Sequence, residues 1–172
     1  MTAMYPTDGT IGVKFSDRTA GTATAFAGSK FTPGQIVDGS NGSKWMYIQA
    51  SAALGANDYL TIDESFQASV GTQAAILAGH TFALAAGTAF AQYDMGFVCI
   101  QARGGSVPCN VASGCAADAN LYTTTTAGKL DDATSAAGGT AMTKIEGIKP
   151  VSAAAADATT AVNTILTFPR GD

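Results

Sequence analysis

Hydrophobic and polar residues alternate in several short segments of the chain, a pattern typical of β-strands. The segment 44–50 alternates most regularly. One of its faces carries Trp45, Tyr47 and Gln49, and the other carries Met46, Ile48 and Ala50. The segment from Gly96 to Arg103 is rich in residues that fit a pleated surface, so it predicts the strongest strand of the chain.

Shorter strands are predicted at 35–37, 59–63, 107–111, 121–124, 142–148 and 161–168, with glycine and Asx turns between them. We expect the strands within 35–63 to form a meander. We expect the segment 107–111 to continue the sheet of the strand that begins at Gly96, and Pro108 indicates that this segment lies at a sheet edge. The segment 74–78 fits either a helical turn or a strand, and Gly71 and Gly79 limit it to about two helical turns.

These patterns predict a mainly β fold with little helix: a single antiparallel β-sandwich or β-barrel domain that follows an extended N-terminal arm. We place the arm at residues 1–30 and the β-rich domain at residues 31–172. The arm has few large apolar residues, although Ile11 to Phe15 alternates like a short strand. A parallel sheet is not expected, because no segment predicts the crossover helices that it needs.

Composition narrows the classes of partner. Charged residues make up 13% of the chain and the net charge is −4, without a basic stripe, so nucleic acid is not an expected partner. No apolar run approaches the roughly 20 residues that span a bilayer. The first residues lack the basic and apolar regions of a secretion signal, so we expect a soluble protein assembled in a cytoplasm.

The sequence contains few residues that could support catalysis or bind a metal. The three cysteines, Cys99, Cys109 and Cys115, match no zinc spacing, and we expect buried thiols; the alternative is a Cys109–Cys115 disulfide formed after release. His80 is the only histidine, and its sequence neighbours include no carboxylate that would orient it for catalysis. We therefore predict no catalytic residue, no metal site and no cofactor, and a protein that is not an enzyme.

Several segments, in their order along the chain, resemble the head decoration (capsid cement) proteins of tailed bacteriophages. The resemblance spreads over most of residues 31–170. It is carried by the segments 31–34, 42–54, 93–101, 121–133 and 167–170, which include Gly42-Ser-Lys-Trp-Met-Tyr-Ile-Gln-Ala50 and Tyr93-Asp-Met-Gly-Phe-Val-Cys-Ile-Gln101.

The resemblance implies a structural virion protein that binds the outer surface of a phage capsid. Its partners would be the major capsid protein and further copies of itself, as a homotrimer, and it would clamp neighbouring capsid subunits and stabilise the DNA-filled head. Because the arm carries apolar residues but no core of its own, we expect residues 1–30 to reach a neighbouring subunit. The candidate contacts are Tyr5, Ile11, Phe15 and Phe26.

Two other functions compete with this one. A host-recognition spike module would carry a coiled-coil or β-helical stalk, and neither a heptad nor a short sequence repeat is present. A β-rich tail-tube or connector subunit would instead form rings or tubes.

Overall fold

The computed structural model describes residues 18–87, 89–102, 105–112, 114–134, 141–164 and 170–171. The protein is mainly β, with one short α-helix, as the alternating sequence predicts. The elements are β1 (Ile36–Asp38), β2 (Ser43–Ala50), β3 (Tyr59–Ile62), β4 (Gln67–Val70), α1 (Gln73–Leu77), β5 (Thr81–Leu84), β6 (Met95–Ala102), β7 (Val107–Asn110), β8 (Leu121–Thr123), β9 (Leu130–Asp131), β10 (Lys144–Glu146), β11 (Ile148–Pro150), β12 (Thr159–Thr164) and β13 (Arg170–Gly171).

Five strands close into a barrel. The strands pair in the order β2–β4–β3–β5–β6, and β6 returns to pair with β2. The β2–β6 pairing is the longest, reaching from Ser43 opposite Ala102 to Gln49 opposite Met95. All of these pairs are antiparallel except β2–β4, which is parallel, and β1 adds a sixth strand at the edge beside β2.

The barrel interior is small because alanine fills much of it. All five barrel strands contribute to one cluster of buried apolar residues, in which alanines lie among larger aliphatic side chains. Its strand members are Ile48, Ala50, Leu60, Ile62, Ala68, Ala83, Val98 and Ile100. Leu54 and Phe90, from two loops at one end of the barrel, join the same cluster and pair through their backbones.

The outer face of the barrel is buried as well. Side chains that alternate with the interior set, such as Tyr47, Tyr59 and Phe97, belong to a second apolar cluster. Residues of the second half of the chain, among them Val107, Leu130 and Val162, pack into this cluster. The two faces predicted for β2 are thus confirmed, and both are buried.

The second half of the chain forms two small sheets. One has the order β13–β10–β8–β9 and the other the order β11–β12–β7. Helix α1 is tied to this half, because the Gln73 side chain donates to the Ala141 carbonyl at 3.0 Å and to the Thr143 hydroxyl at 3.1 Å. The ambiguous segment 74–78 is therefore mostly helical, between Gly71 and Gly79 as expected.

Two corners of the molecule share one backbone design. The first corner joins residues 50–58 to 85–94, and the second joins residues 150–158 to 111–112 and 114–118. In the first, Leu54 and Phe90 exchange backbone hydrogen bonds of 2.9 and 3.0 Å; in the second, Cys115 and Ala154 do so at 3.0 and 2.9 Å. Because these four side chains differ, the two corners resemble each other in backbone geometry and not in sequence.

The match between the corners extends beyond those bridges. The amide of Tyr93 donates to the carbonyl of Ala50 at 2.7 Å, and the amide of Asp118 donates to that of Pro150 at 3.0 Å. Each corner also holds two non-glycine residues with positive φ. These are Asn57 (65°) and Tyr93 (70°) in the first corner and Asp157 (52°) and Asp118 (57°) in the second.

Two sequence-based details of the sheet are wrong. The strands within 35–63 do not form a meander, because β4 lies between β2 and β3 and separates them. The segment 107–111 does not continue the sheet of β6, because β7 pairs with β12 in a different sheet. The edge position indicated by Pro108 is nevertheless correct, since β7 is the outer strand of its sheet.

Candidate functional site

Exposed apolar side chains are concentrated at one end of the barrel. Among the described residues, four large apolar side chains are exposed: Ile36, Phe66, Leu77 and Val151. Ile36 lies on β1, Phe66 in the turn between β3 and β4, and Leu77 at the end of α1. This end is opposite the one that Leu54 and Phe90 close.

Phe66 is held in a strained position. Its φ of 60° lies in the left-handed region, which aromatic residues rarely adopt. The preceding turn fixes this geometry, because the carboxylate of Asp63 accepts the amides of Ser65 and Gln67, both at 2.9 Å. The Phe66 ring packs against Gly34, where an added Cβ would lie 2.3 Å from it. Backbone strain that is held in this way is often found at functional sites.

Strand β1 presents an open sheet edge beside Phe66. It pairs with β2 on one side, and no described strand pairs with its other side. Ile36, which is opposite Met46 in the β1–β2 pair, is 45% exposed. An open edge with an exposed apolar side chain can accept an added strand from a partner.

A groove of about 580 Å³ opens between two loops at this end of the barrel. Residues 62–66 form one wall and residues 78–81 form the other. We use the name mouth surface for this groove together with two exposed side chains: Leu77, which precedes the lining residue Ala78, and Ile36, which follows the Gly34 that Phe66 contacts by two residues.

The mouth surface is acidic. Asp63 and Glu64 line the groove, and none of the residues that line it is a lysine or an arginine. On β2, the Lys44 ammonium pairs with the Asp38 carboxylate of β1 at 2.6 Å. The mouth surface therefore combines acidic lining residues with exposed apolar side chains.

His80 lies in the same groove and is half-buried in the loop after α1. Its Nδ1 atom is enclosed and has no hydrogen-bond partner. The groove brings a histidine, a serine and two carboxylates together, but no hydrogen bond joins His80 to Ser65, Asp63 or Glu64. The groove thus lacks the hydrogen bond between nucleophile and base by which a catalytic pair is recognised.

Of the four predicted contact residues, the structure describes only Phe26; Tyr5, Ile11 and Phe15 lie outside the described residues. The Phe26 ring packs 6.4 Å from that of Tyr47, within its own chain. The buried Gln49 side chain holds this part of the arm: it accepts the Phe26 amide at 3.1 Å and donates to the Thr22 carbonyl at 3.2 Å. The arm from residue 18 to 30 therefore lies on its own barrel.

The three cysteines are free and buried, as the simpler interpretation of the sequence expects, and Cys109 and Cys115 do not form a disulfide. Burial raises the pKa of the Cys99 thiol to about 12. Burial also raises the pKa of Cys109, where the nearby Cys115 and Asp58 add to the effect. The buried thiols are therefore protonated at neutral pH and unreactive.

Sequence reasoning missed the mouth surface. Asp63 and Glu64 belong to one loop and His80 to another, and only the pairing of β3 with β5 brings these loops together. Phe66 could have been singled out from the sequence. A large aromatic residue inside an Asx turn cannot be assigned to either face of the adjoining strands.

The remaining findings concern membranes, metals and relatives. No helix in the described part of the chain could cross a membrane, and the described side chains form no cluster of three or more metal-ligating residues. No protein-family model matches the chain, and no curated protein matches it.

Proposed function

We propose that the chain is a structural virion protein that binds the outer surface of a phage capsid. In this role it clamps neighbouring major capsid subunits, stabilises the DNA-filled head and acts as a homotrimer. The sequence resemblance to phage head decoration proteins suggests this role, and the mouth surface supports it. No catalytic step is part of the proposal.

The observation that carries the proposal is the placement of the exposed apolar side chains. Ile36, Phe66 and Leu77 are exposed at one end of a barrel whose outer face is largely covered, and an open strand edge lies beside them. Such a combination is typical of a protein contact surface. The contact is small, but a symmetric capsid lattice repeats it many times, and linked weak contacts hold far more tightly than a single one.

The arm has a narrower role in the proposal than its sequence suggests. Phe26 packs on Tyr47 of its own chain, so we assign it to holding the arm on the barrel. We retain Tyr5, Ile11 and Phe15 as the candidate contacts with a neighbouring subunit. A deletion of residues 2–17 tests them without uncovering Tyr47, whereas a deletion that extends to residue 28 would also remove Phe26.

The first test is cosedimentation of the purified full-length protein with expanded, undecorated heads of the phage that encodes it. Unexpanded shells serve as the control. We expect saturable binding at a fixed ratio to the capsid subunit. Absence of binding to either shell would reject the decoration function and favour the tail-tube or host-recognition alternatives.

The variant Phe66→Asn tests whether the mouth surface makes the contact. Asparagine tolerates the left-handed backbone of residue 66, so we expect folding to be preserved. Loss of the apolar ring should weaken head binding by about tenfold, the effect of roughly 1.4 kcal/mol. Val151→Asn, an exposed apolar residue outside the mouth surface, is the matched control and should bind as the wild type does.

A further inference from the structure

We infer that the mouth surface binds a basic segment of the capsid protein, with a lysine or arginine between Asp63 and Glu64 and an apolar side chain against Phe66 and Ile36. This inference rests on the proposed capsid-binding function and specifies the chemistry of the partner. Three features of the mouth surface lead to it.

The first feature is the charge of the groove. Asp63 and Glu64 make no ion pair with any described residue, and no basic side chain lines the groove. A cation bound in a groove that is lined by two acidic residues and no basic residue would be attracted to both carboxylates. The complementary partner is therefore basic.

The second feature is the apolar margin. The Phe66 ring, supported by Gly34, belongs to the loop that carries Asp63 and Glu64, and Ile36 is exposed on β1 two residues after Gly34. A partner that covers them must place apolar groups next to its cation, as the stem of a lysine or arginine does, together with a neighbouring apolar residue. The open edge of β1 lets such a segment run in an extended conformation.

The third feature is the unpartnered Nδ1 atom of His80. An enclosed ring nitrogen without a hydrogen bond is unfavourable, because the atom has lost its contact with water and gained no partner in exchange. A polar group of a bound segment could satisfy this atom if the loop that carries His80 moves on binding. The groove thus contains one polar ring atom without a partner beside its two acidic residues.

A second copy of the chain fits the mouth surface less well. The protein has a net charge of −4 and only nine basic residues. Three of its lysines, Lys44, Lys129 and Lys144, already pair with carboxylates of their own chain. A second copy that bound the mouth surface would therefore have few cations to place between Asp63 and Glu64. A separate partner has no such restriction.

The test compares two variants that each remove two negative charges. In Asp63→Asn/Glu64→Gln the mouth is neutralised, and the asparagine introduced at position 63 keeps a side-chain oxygen that accepts the turn amides. In the control Asp94→Asn/Asp118→Asn the same charge is removed away from the mouth, and asparagine is suited to the left-handed backbone of residue 118. Both variants keep side-chain size and should fold as the wild type does.

Binding of both variants to expanded heads is measured by cosedimentation at several salt concentrations. We expect the mouth variant to bind at least tenfold more weakly at low salt and with a weaker salt dependence, while the control variant binds as the wild type does. Equal binding by the mouth variant would overturn the inference, and so would an equal loss in the control variant.

Two further outcomes separate this inference from the proposed function. If the wild-type protein fails to bind heads, the capsid-binding function is rejected, and the inference falls with it. If the mouth variant binds heads normally but changes its own oligomeric state in sedimentation velocity, the mouth is a contact between copies, and only the inference is rejected.

Discussion

At the scale of single residues, the most consequential groups are buried side chains that ionise at high pH. Cys99 and Cys109 lie in the apolar cluster between the barrel and the second half of the chain, and burial raises the pKa of both thiols. An ionised thiolate in this cluster would be surrounded by apolar groups without compensating charge. The folded state therefore keeps these protons more strongly than the unfolded state does.

This difference predicts a loss of stability in mild alkali. An unfolded thiol ionises near pH 9, whereas Cys99 in the folded protein has a pKa of about 12. The contribution of the thiols to the free energy of unfolding should stay constant below pH 9 and fall as the pH rises from 9 towards 12, by at most about 1.4 kcal/mol per pH unit for each thiol. Urea unfolding in reductant between pH 7 and 10 measures this slope.

The double variant Cys99→Ala/Cys109→Ala tests whether the two thiols cause this decrease in stability. The double variant should be less stable at pH 7, by about 1 kcal/mol or more, because each substitution leaves a small cavity. Its stability should then fall less between pH 9 and 10 than that of the wild type. Parallel curves for the two proteins would mean that the thiols ionise equally in the folded and unfolded states.

At the scale of elements, one side chain of β2 fastens the arm to the barrel. Gln49 is 2% exposed, and besides its bonds to Phe26 and Thr22 it donates to the carbonyl of Tyr93 at 3.2 Å. The arm segment 18–30 has no strand or helix of its own. Its first residues are held by the backbone bridge of Thr19 with Met95, and residues 22–26 depend on this amide and on the packing of Phe26 against Tyr47.

Replacement of Gln49 by leucine should release the arm. The change keeps a similar volume and removes the side-chain hydrogen bonds to the arm, which should lower the free energy of unfolding by about 1–3 kcal/mol. Limited proteolysis should then cut within residues 18–30 faster than in the wild type. Gln92→Leu, which removes one exposed bond to the Ser51 carbonyl, is the control, and equal cleavage of the two variants would contradict the role of Gln49.

The same elements show what the sequence can predict. The faces of β2 follow from alternation, because each side chain must point to one of two surfaces. The neighbours of β2 do not follow, because the position of β4 between β2 and β3 depends on contacts between segments distant in sequence. The mouth surface was missed for the same reason: Asp63 and His80 carry no periodic signal that links them.

At the scale of the whole molecule, the two corners should behave as equivalent units. In each corner, a pair of loop residues exchanges backbone hydrogen bonds, Leu54 with Phe90 and Cys115 with Ala154. Hydrogen exchange should therefore show slow exchange at these four amides and at those of Tyr93 and Asp118. Protection confined to one corner would mean that the likeness is a coincidence of shape.

The order of the corner segments along the chain determines whether the likeness between the corners can be found by aligning the sequence with itself. The two outer segments, at Leu54 and Ala154, are one hundred positions apart, while the two inner segments, at Phe90 and Cys115, are only twenty-five apart. The two corners follow one another along the chain with their equivalent segments in opposite order, so no single shift of the sequence along itself brings both pairs into register. A search for tandem repeats would therefore not detect the likeness between the corners, even if the side chains matched.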